Sequence, residues 1–464
     1  MKRIIITFLL LTVLQGVSVF AEEPSFKKTK HTVFLIHGIS GTKEHFGKME
    51  QALSKVLNAK DPNVEYLVES LEFDTGNDEK NIYDFAKDIN LQIIRVTAEG
   101  MFQKEDKISF VMHSEGGLIG SVWLFQSLLG NKGFSSSSII EHIDSFITLG
   151  TPFWGSKSAE FGRNIDGFFN SLGIDLDVPF GTKELEDMSI GSDLINDFRM
   201  ALVDSKHKDD IAYLKDNIRF LNIAAAAQVL DSFGIFASGG EKYEDDGAVL
   251  LPSARFDFLF SRSLFDSYEE GDRVSLTNTR VVEFAPCIIV NGMHRAPIPE
   301  LMEFADIVYV PKACIDNEYC QHPTFQYVWK QLLGEEIVQE KVEQRNFKSF
   351  LIDLNVHLAN KDSVFCEDIK IEFSQLDGSP IEGSNVKISS FFEPFSEGKS
   401  KSKKYHGQCR FYFTGNIEKK SAQGMHAVLM KVSGEGLRTR YVEVLLKESY
   451  SSYVDINLIA LDML

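Results

Sequence analysis

Short apolar runs that stop abruptly at small or polar residues recur along the first part of the chain. Thr32-Val-Phe-Leu-Ile36 ends at His37-Gly38, and Ile108-Ser-Phe-Val-Met112 ends at His113-Ser114. Ser145-Phe-Ile-Thr-Leu149 ends at Gly150-Thr-Pro152, and Val64 to Ser70 is a further run of the same length class. Runs this short, flanked by turn residues, read as buried strands. Between them the spacing changes. Ile82, Phe85, Ile89, Ile93 and Ile94 predict a helix within residues 82–103, and a second helix is expected from about Glu44 to Leu57. Strand alternating with helix points to a parallel sheet with helices on both faces. From about Lys157 to Asp216 no strand pattern is visible. Helix-compatible stretches there predict an insertion above the sheet, acting as a lid or as a plain structural excursion. Strand character returns at Ile218 to Ala224 and from Val281 to Val290.

After about Gln331 the period becomes two. Ile352, Leu354, Val356 and Leu358 alternate with polar neighbours, as do Ile369, Ile371 and Phe373. Similar runs surround Val386, Phe411, Val428, Val442 and Ile456, which predicts about seven half-buried strands and a β-sandwich. With 464 residues, two domains are expected. The partition is a catalytic unit at 30–334, its insertion at about 157–216, a linker near 335–346 and a sandwich at 347–464.

Composition adds a compartment and removes a partner. Lys2 and Arg3 precede an apolar run from Ile4 to Leu14, and Val19-Phe20-Ala21 supplies small residues for a cleavage site. Residues 1–21 therefore read as a signal peptide, and the mature chain is expected to be secreted or periplasmic. Five cysteines suit that compartment. The expected pairs are Cys314 with Cys320 and Cys366 with Cys409, leaving Cys287 as a buried small residue. A zinc site on Cys314, Cys320 and His322 is the alternative, although the spacing fits no common zinc pattern. A formal net charge of -19 argues against nucleic acid, because phosphate contacts need lysine and arginine. No cofactor or metal is expected, and the chain does not indicate an oligomeric state.

The apolar run into His113-Ser-Glu-Gly-Gly117 has the form of a nucleophile elbow, with Ser114 on a strained strand-to-helix turn. Gly116 and Gly117 would let the helix pass close to the strand. A serine hydroxyl needs a histidine base oriented by a carboxylate. In chain order the acid is Asp246, with its neighbour Asp245 as competitor, and the base is His294, with His322 as fallback. Each follows a predicted strand. The N–H groups of Glu115 and Ile39 are the expected donors to an oxyanion.

Leu35-Ile-His-Gly38, His113-Ser-Glu-Gly-Gly117, Thr148-Leu-Gly-Thr-Pro-Phe-Trp-Gly-Ser156 and Asp246-Gly-Ala-Val249 together resemble the bacterial lipase and esterase branch of the α/β-hydrolase superfamily. The resemblance covers about residues 30–300, and Asp187-Met-Ser-Ile-Gly-Ser-Asp-Leu194 resembles a segment of that branch's helical insertion. It implies an α/β-hydrolase fold, a Ser114–His294–Asp246 triad, Asp246 in preference to Asp245, and an acyl ester or lipid substrate cleaved through an acyl-enzyme. The sequence departs from the pattern at Met112, where a small residue is usual, and at Phe153, where histidine is frequent. Thioester, amide or glycolipid acyl cleavage would use the same triad, and a binding protein that has lost catalysis is the reading from another class. The C-terminal unit resembles nothing identified. Its expected roles are contact with a lipid surface, a glycan or a protein, or capping of the catalytic unit.

Overall fold

The computed structural model describes residues 28–99, 102–135, 137–156, 181–226, 244–265, 267–296, 305–337, 347–358, 366–382, 385–390, 408–418 and 425–461. The expected signal peptide, and the apolar residues at 168–176 of the insertion, lie outside them.

The elements run β1 (Thr29–Ile36), α1 (Met49–Lys60), β2 (Val64–Leu71), α2 (Ile82–Glu99), β3 (Lys107–His113), α3 (Glu115–Leu128) and β4 (Ile143–Leu149). The insertion then contributes α4 (Thr182–Met188), α5 (Asp193–Val203) and α6 (Lys208–Asn217), followed by β5 (Arg219–Ala225) and α7 (Leu251–Ala254). Next come β6 (Phe258–Ser263), β7 (Arg273–Val274), β8 (Thr279–Val282), β9 (Cys287–Val290) and α8 (Phe325–Leu333). The C-terminal part holds β10 (Ser349–Leu358), β11 (Ile369–Ser374), β12 (Val386–Ser390), β13 (Gln408–Ile417), β14 (Met425–Gly434), β15 (Arg440–Lys447) and β16 (Ser451–Leu458).

Six strands form a sheet in the order β2-β1-β3-β4-β5-β9, and every neighbouring pair is parallel. Because successive strand side chains point to opposite faces, β1 serves two cores. Phe34 and Ile36 pack with Ile82, Phe85, Ile89 and Trp123 of α2 and α3. Val33 and Leu35 pack with Leu53 and Leu57 of α1 and with Val328 and Trp329 of α8. Burial on both faces explains why the strands read as continuous apolar runs instead of alternating ones. The helix expected from Glu44 is interrupted: a 3-10 turn at Lys43–Phe46 ends at Gly47, and α1 begins at Met49. No described helix is long and apolar enough to cross a membrane.

All seven strands expected after residue 347 are present, but they do not complete the sandwich alone. One sheet has the order β12-β13-β10-β16-β6-β8, and the other β11-β14-β15-β7. β6 lies parallel to β16, with Ser451 opposite Phe258 and Ile456 opposite Ser263, and β8 pairs antiparallel with β6. β7 adds two residues to β15. The segment between the acid loop and β9 thus belongs to the sandwich in space, although the sequence partition assigns it to the catalytic unit. The reason is physical. β16 is central in its sheet and its second edge needs a partner, and a parallel partner nearly two hundred residues away leaves no local pattern.

The junction is dense and polar. Arg199 of α5 is buried. Its Nε donates to the Phe153 carbonyl (3.0 Å), its Nη1 to the Phe256 carbonyl (2.9 Å), and its guanidinium lies 4.2 Å from the Trp154 ring centroid. Tyr453 of β16 donates to Asn196 of α5 at 3.3 Å. Two disulfides are formed, Cys314–Cys320 and Cys366–Cys409, and Cys287 is free.

Candidate active site

Ser114 sits between β3 and α3 with φ 55° and ψ −124°, a left-handed conformation that costs a non-glycine residue about 1–3 kcal/mol. The turn is held by neighbours. The Ser114 N–H donates to the Leu149 carbonyl (2.9 Å), and the Gly117 N–H donates to the Ser114 carbonyl (3.0 Å). Helix α3 starts against the end of β1, and a Cβ on Gly116 would collide with the carbonyl oxygens of Ile36 and His37. Only glycine permits that approach. Met112, the departure at the first motif position, is accommodated on α3: its Sδ fills the space where a Cβ of Gly120 would stand. Phe153, the other departure, stacks on Phe198 and meets Phe256 edge-on, so that position has become core.

The loops after β5 and β9 bring Asp246 and His294 to Ser114. His294 Nε2 lies 2.7 Å from Ser114 Oγ, and His294 Nδ1 lies 2.9 Å from Asp246 Oδ2. A carboxylate only accepts, so the imidazole carries its proton on Nδ1 and offers Nε2 as acceptor to the serine hydroxyl. Asp246 is fixed in turn. Its Oδ1 accepts from the N–H groups of Ala248 (3.0 Å) and Val249 (2.8 Å), and its carbonyl accepts from the His294 N–H (2.7 Å).

Asp245 points elsewhere. Its Oδ1 accepts from the Gly247 N–H at 2.9 Å, and its Oδ2 has no partner among the described residues. Burial, reinforced by the charge of Asp246, pushes its carboxyl up to about 7. His322 is not near this chemistry in its bonding. Its Nδ1 accepts from the N–H groups of Thr324 (3.3 Å) and Phe325 (3.2 Å) at the start of α8, and burial lowers it to about 3. The zinc alternative fails on the same residues, because the sulfurs of Cys314 and Cys320 are bonded to each other.

Gly38 brings the loop after β1 against the elbow, where a Cβ would lie 2.7 Å from Ser114 Cβ. Ile39 follows it, and its N–H has no acceptor among the described residues. Glu115 is the first residue of α3, where helical N–H groups lack an intrahelical partner. The Glu115 carboxyl is itself fully buried with neither oxygen hydrogen-bonded among the described residues. Burial pushes it well above the usual range, and Glu184 and Asp187 of α4 push it further. Glu184 braces the loop opposite: it accepts from the Gly76 N–H (3.1 Å) and from Thr75 Oγ1 (3.2 Å), and that same Oγ1 accepts from the Ser40 N–H (3.0 Å).

A nucleophile elbow at the carboxyl end of a central parallel strand, with the acid and base on loops after later strands, is one arrangement in one fold. The chain has the α/β-hydrolase fold. The family model described as "Putative serine esterase (DUF676)" matches residues 26–165. Among solved structures, phospholipase PlaB from Legionella pneumophila is similar over 93% of this chain and 94% of its own, at 14% identity and a TM-score of 0.64. Bacillus licheniformis lipase BlEst2 is similar over 48% of this chain and 79% of its own, at 16% identity and a TM-score of 0.33. No curated sequence matches significantly. The likeness to PlaB extends through the sandwich, so the two-part fold is shared with that structure.

Sequence reasoning did not find several groups around Ser114, His294 and Asp246. His45 and His113 form a hydrogen-bonded pair behind His294, and Asp306 is buried below it. Asp306 accepts from the N–H groups of Ala296 (2.9 Å), Val308 (2.8 Å) and Tyr309 (2.7 Å). His113 could have been noticed, since it abuts Ser114. Asp306 carries no sequence signal, because its partners come from the folded loop.

Proposed function

We propose that this α/β-hydrolase is an exported serine ester hydrolase that cleaves acyl esters, lipid esters among them, through an acyl-enzyme. The observation that carries the reading is the unbroken chain Ser114 Oγ, His294, Asp246, with contacts of 2.7 and 2.9 Å on a serine held in a strained turn. Ser114 Oγ attacks the ester carbonyl carbon while His294 Nε2 takes its proton. Asp246 orients the imidazole and stabilises the imidazolium. The oxyanion of the tetrahedral intermediate is received by the N–H groups of Ile39 and Glu115. His294 then protonates the leaving alcohol, and a water activated by the same nitrogen releases the acid. Burial disfavours the charged form of the Glu115 carboxyl, which limits the negative charge that would oppose the oxyanion nearby. A lipid acyl ester is supported by the likeness, across both parts of the fold, to a structure named as a phospholipase. Export is supported by the two disulfides, which persist in oxidising compartments.

The test is a panel of nitrophenyl esters of increasing acyl length with wild type and Ser114→Ala, beside labelling by a fluorophosphonate. Wild-type turnover and labelling, both lost in Ser114→Ala, are expected. Undiminished turnover in the variant would refute the assignment.

A further inference from the structure

The imidazole of His294 is held by Asp246 and Ser114 on its outer side, but something must also fix the peptide that carries it. Behind it lies His113, the last residue of β3 and the neighbour of Ser114. His113 Nε2 is 3.0 Å from the main-chain carbonyl oxygen of His294, and His113 Nδ1 is 2.9 Å from His45 Nε2. The two rings of His113 and His294 have centroids 4.6 Å apart.

These contacts determine where the protons are. A carbonyl oxygen only accepts, so His113 Nε2 carries hydrogen. A neutral His113 then has a bare Nδ1, which accepts from His45 Nε2–H. Both rings are thereby assigned as neutral Nε2–H tautomers. The surroundings keep them so. Burial lowers both imidazoles well below 6.5, and neighbours add to it: Arg295 and His294 act on both rings, His37 on His45, and His45 on His113. The next residue is held from the same side. Arg295 Nη1 donates to the His45 carbonyl at 2.8 Å and pairs with Asp306 at 3.5 Å.

We propose that His113, backed by His45, is a positioning residue for the base: by donating Nε2–H to the His294 carbonyl it ties the base loop to the strand end that carries the nucleophile. This rests on the Ser114 reading above. One strand end then sets both sides of the reacting pair. Ser114 Oγ meets His294 Nε2 at 2.7 Å on the substrate side, and His113 meets the His294 main chain at 3.0 Å on the core side. Releasing the carbonyl would let the imidazole drift, and a misplacement of about 1 Å costs about a hundredfold in rate.

The experiment compares the rate constant and the final extent of fluorophosphonate labelling in wild type, His113→Phe and His113→Gln. Phenylalanine keeps a ring but cannot donate, whereas glutamine keeps an N–H near the Nε2 position. A positioning role lowers the rate constant by roughly ten- to a hundredfold in His113→Phe, with full extent, and glutamine recovers much of it. A merely structural role lowers the extent and leaves the rate constant. Equal rate constants in His113→Phe and wild type would overturn the proposal. Should His113→Phe not fold, ring nitrogen-15 spectra of the wild-type protein decide: neutral Nε2–H tautomers for His45 and His113 at pH 7 support it, and an Nδ1–H tautomer or an imidazolium at His113 overturns it. Absence of any labelling in wild type would overturn the Ser114 reading and this proposal with it.

Discussion

Asp245 and Asp246 are adjacent carboxylates with opposite expected responses to the same isosteric change. In Asp246→Asn the side-chain carbonyl remains with the N–H groups of Ala248 and Val249, which bond Oδ1 in the native site. The amide NH2 then faces His294 Nδ1, where Oδ2 accepts at 2.9 Å in the native protein. Two donors cannot face each other, so the imidazole must move its proton to Nε2 and can no longer accept from Ser114 Oγ. Loss of a triad carboxylate in this way costs about 10⁴ in kcat, or about 5 kcal/mol of transition-state stabilisation. In Asp245→Asn the carbonyl keeps the Gly247 N–H, no contact to His294 is touched, and turnover is expected to stay within a few-fold. Its effect is on stability. The folded protein holds the Asp245 proton up to about 7 against an ordinary 3.8, so wild-type stability falls as pH rises through that window and the penalty is complete above it. At about 1.4 kcal/mol per pH unit the penalty is bounded at about 4 kcal/mol. The unpartnered amide NH2 in place of Oδ2 gives back part, leaving an expected gain of about 1–2 kcal/mol at pH 8 that vanishes near pH 4. Urea melts at both pH values, with ester turnover at pH 8, measure the two responses. A stability difference independent of pH would refute the burial argument. Equal loss of turnover in both variants would refute the assignment of roles.

Gly38→Ala places a Cβ 2.7 Å from Ser114 Cβ and should push the Ile39 N–H away from the elbow; kcat is expected to fall about a hundredfold, the lower range for a lost oxyanion donor, in a protein that still melts cooperatively. Cys366→Ser with Cys409→Ser opens a loop with a sequence separation of 43, which should cost about 4 kcal/mol and lower Tm in calorimetry. Wild-type protein scanned with reductant should fall at least as far, because both disulfides then open. Ending the chain before residue 347 is expected to give insoluble protein instead of a free catalytic unit, as judged by soluble yield and circular dichroism. It removes the β16 partner of β6 and the Lys348 and Ser349 N–H donors to Glu244 (2.7 and 3.3 Å), two residues before Asp246.

Much of the catalytic architecture was legible because its signals are local. Buried strands of a parallel sheet must be apolar on both faces, so β1, β3, β4 and β5 appear as runs, and the residue at which each run stops marks the end where loops carry chemistry. The elbow is legible for a related reason, since a strained serine flanked by glycines reflects packing over a few residues. The departures were opaque. Met112 becomes intelligible only with Gly120 beside it, a neighbour across the elbow in the following helix. Asp245 and Asp246 are chemically identical in the chain; the motif resemblance favours Asp246, and the direction of each carboxylate supplies the physical reason.

The boundary between local and tertiary information runs through the sandwich and the base. Chain order, the hydrophobic period and the elbow establish by themselves a parallel sheet flanked by helices, with Ser114 at a strand-to-helix corner and a β-rich part behind it. Three things needed the folded chain: that β6 and β8 complete the sandwich, that Glu244 ties it to the acid loop, and that His45 and His113 pin the base. Each depends on pairing between groups far apart in sequence. Such pairing is decided by which edge or lone pair would otherwise be left buried without a partner, and no local pattern of residues records it.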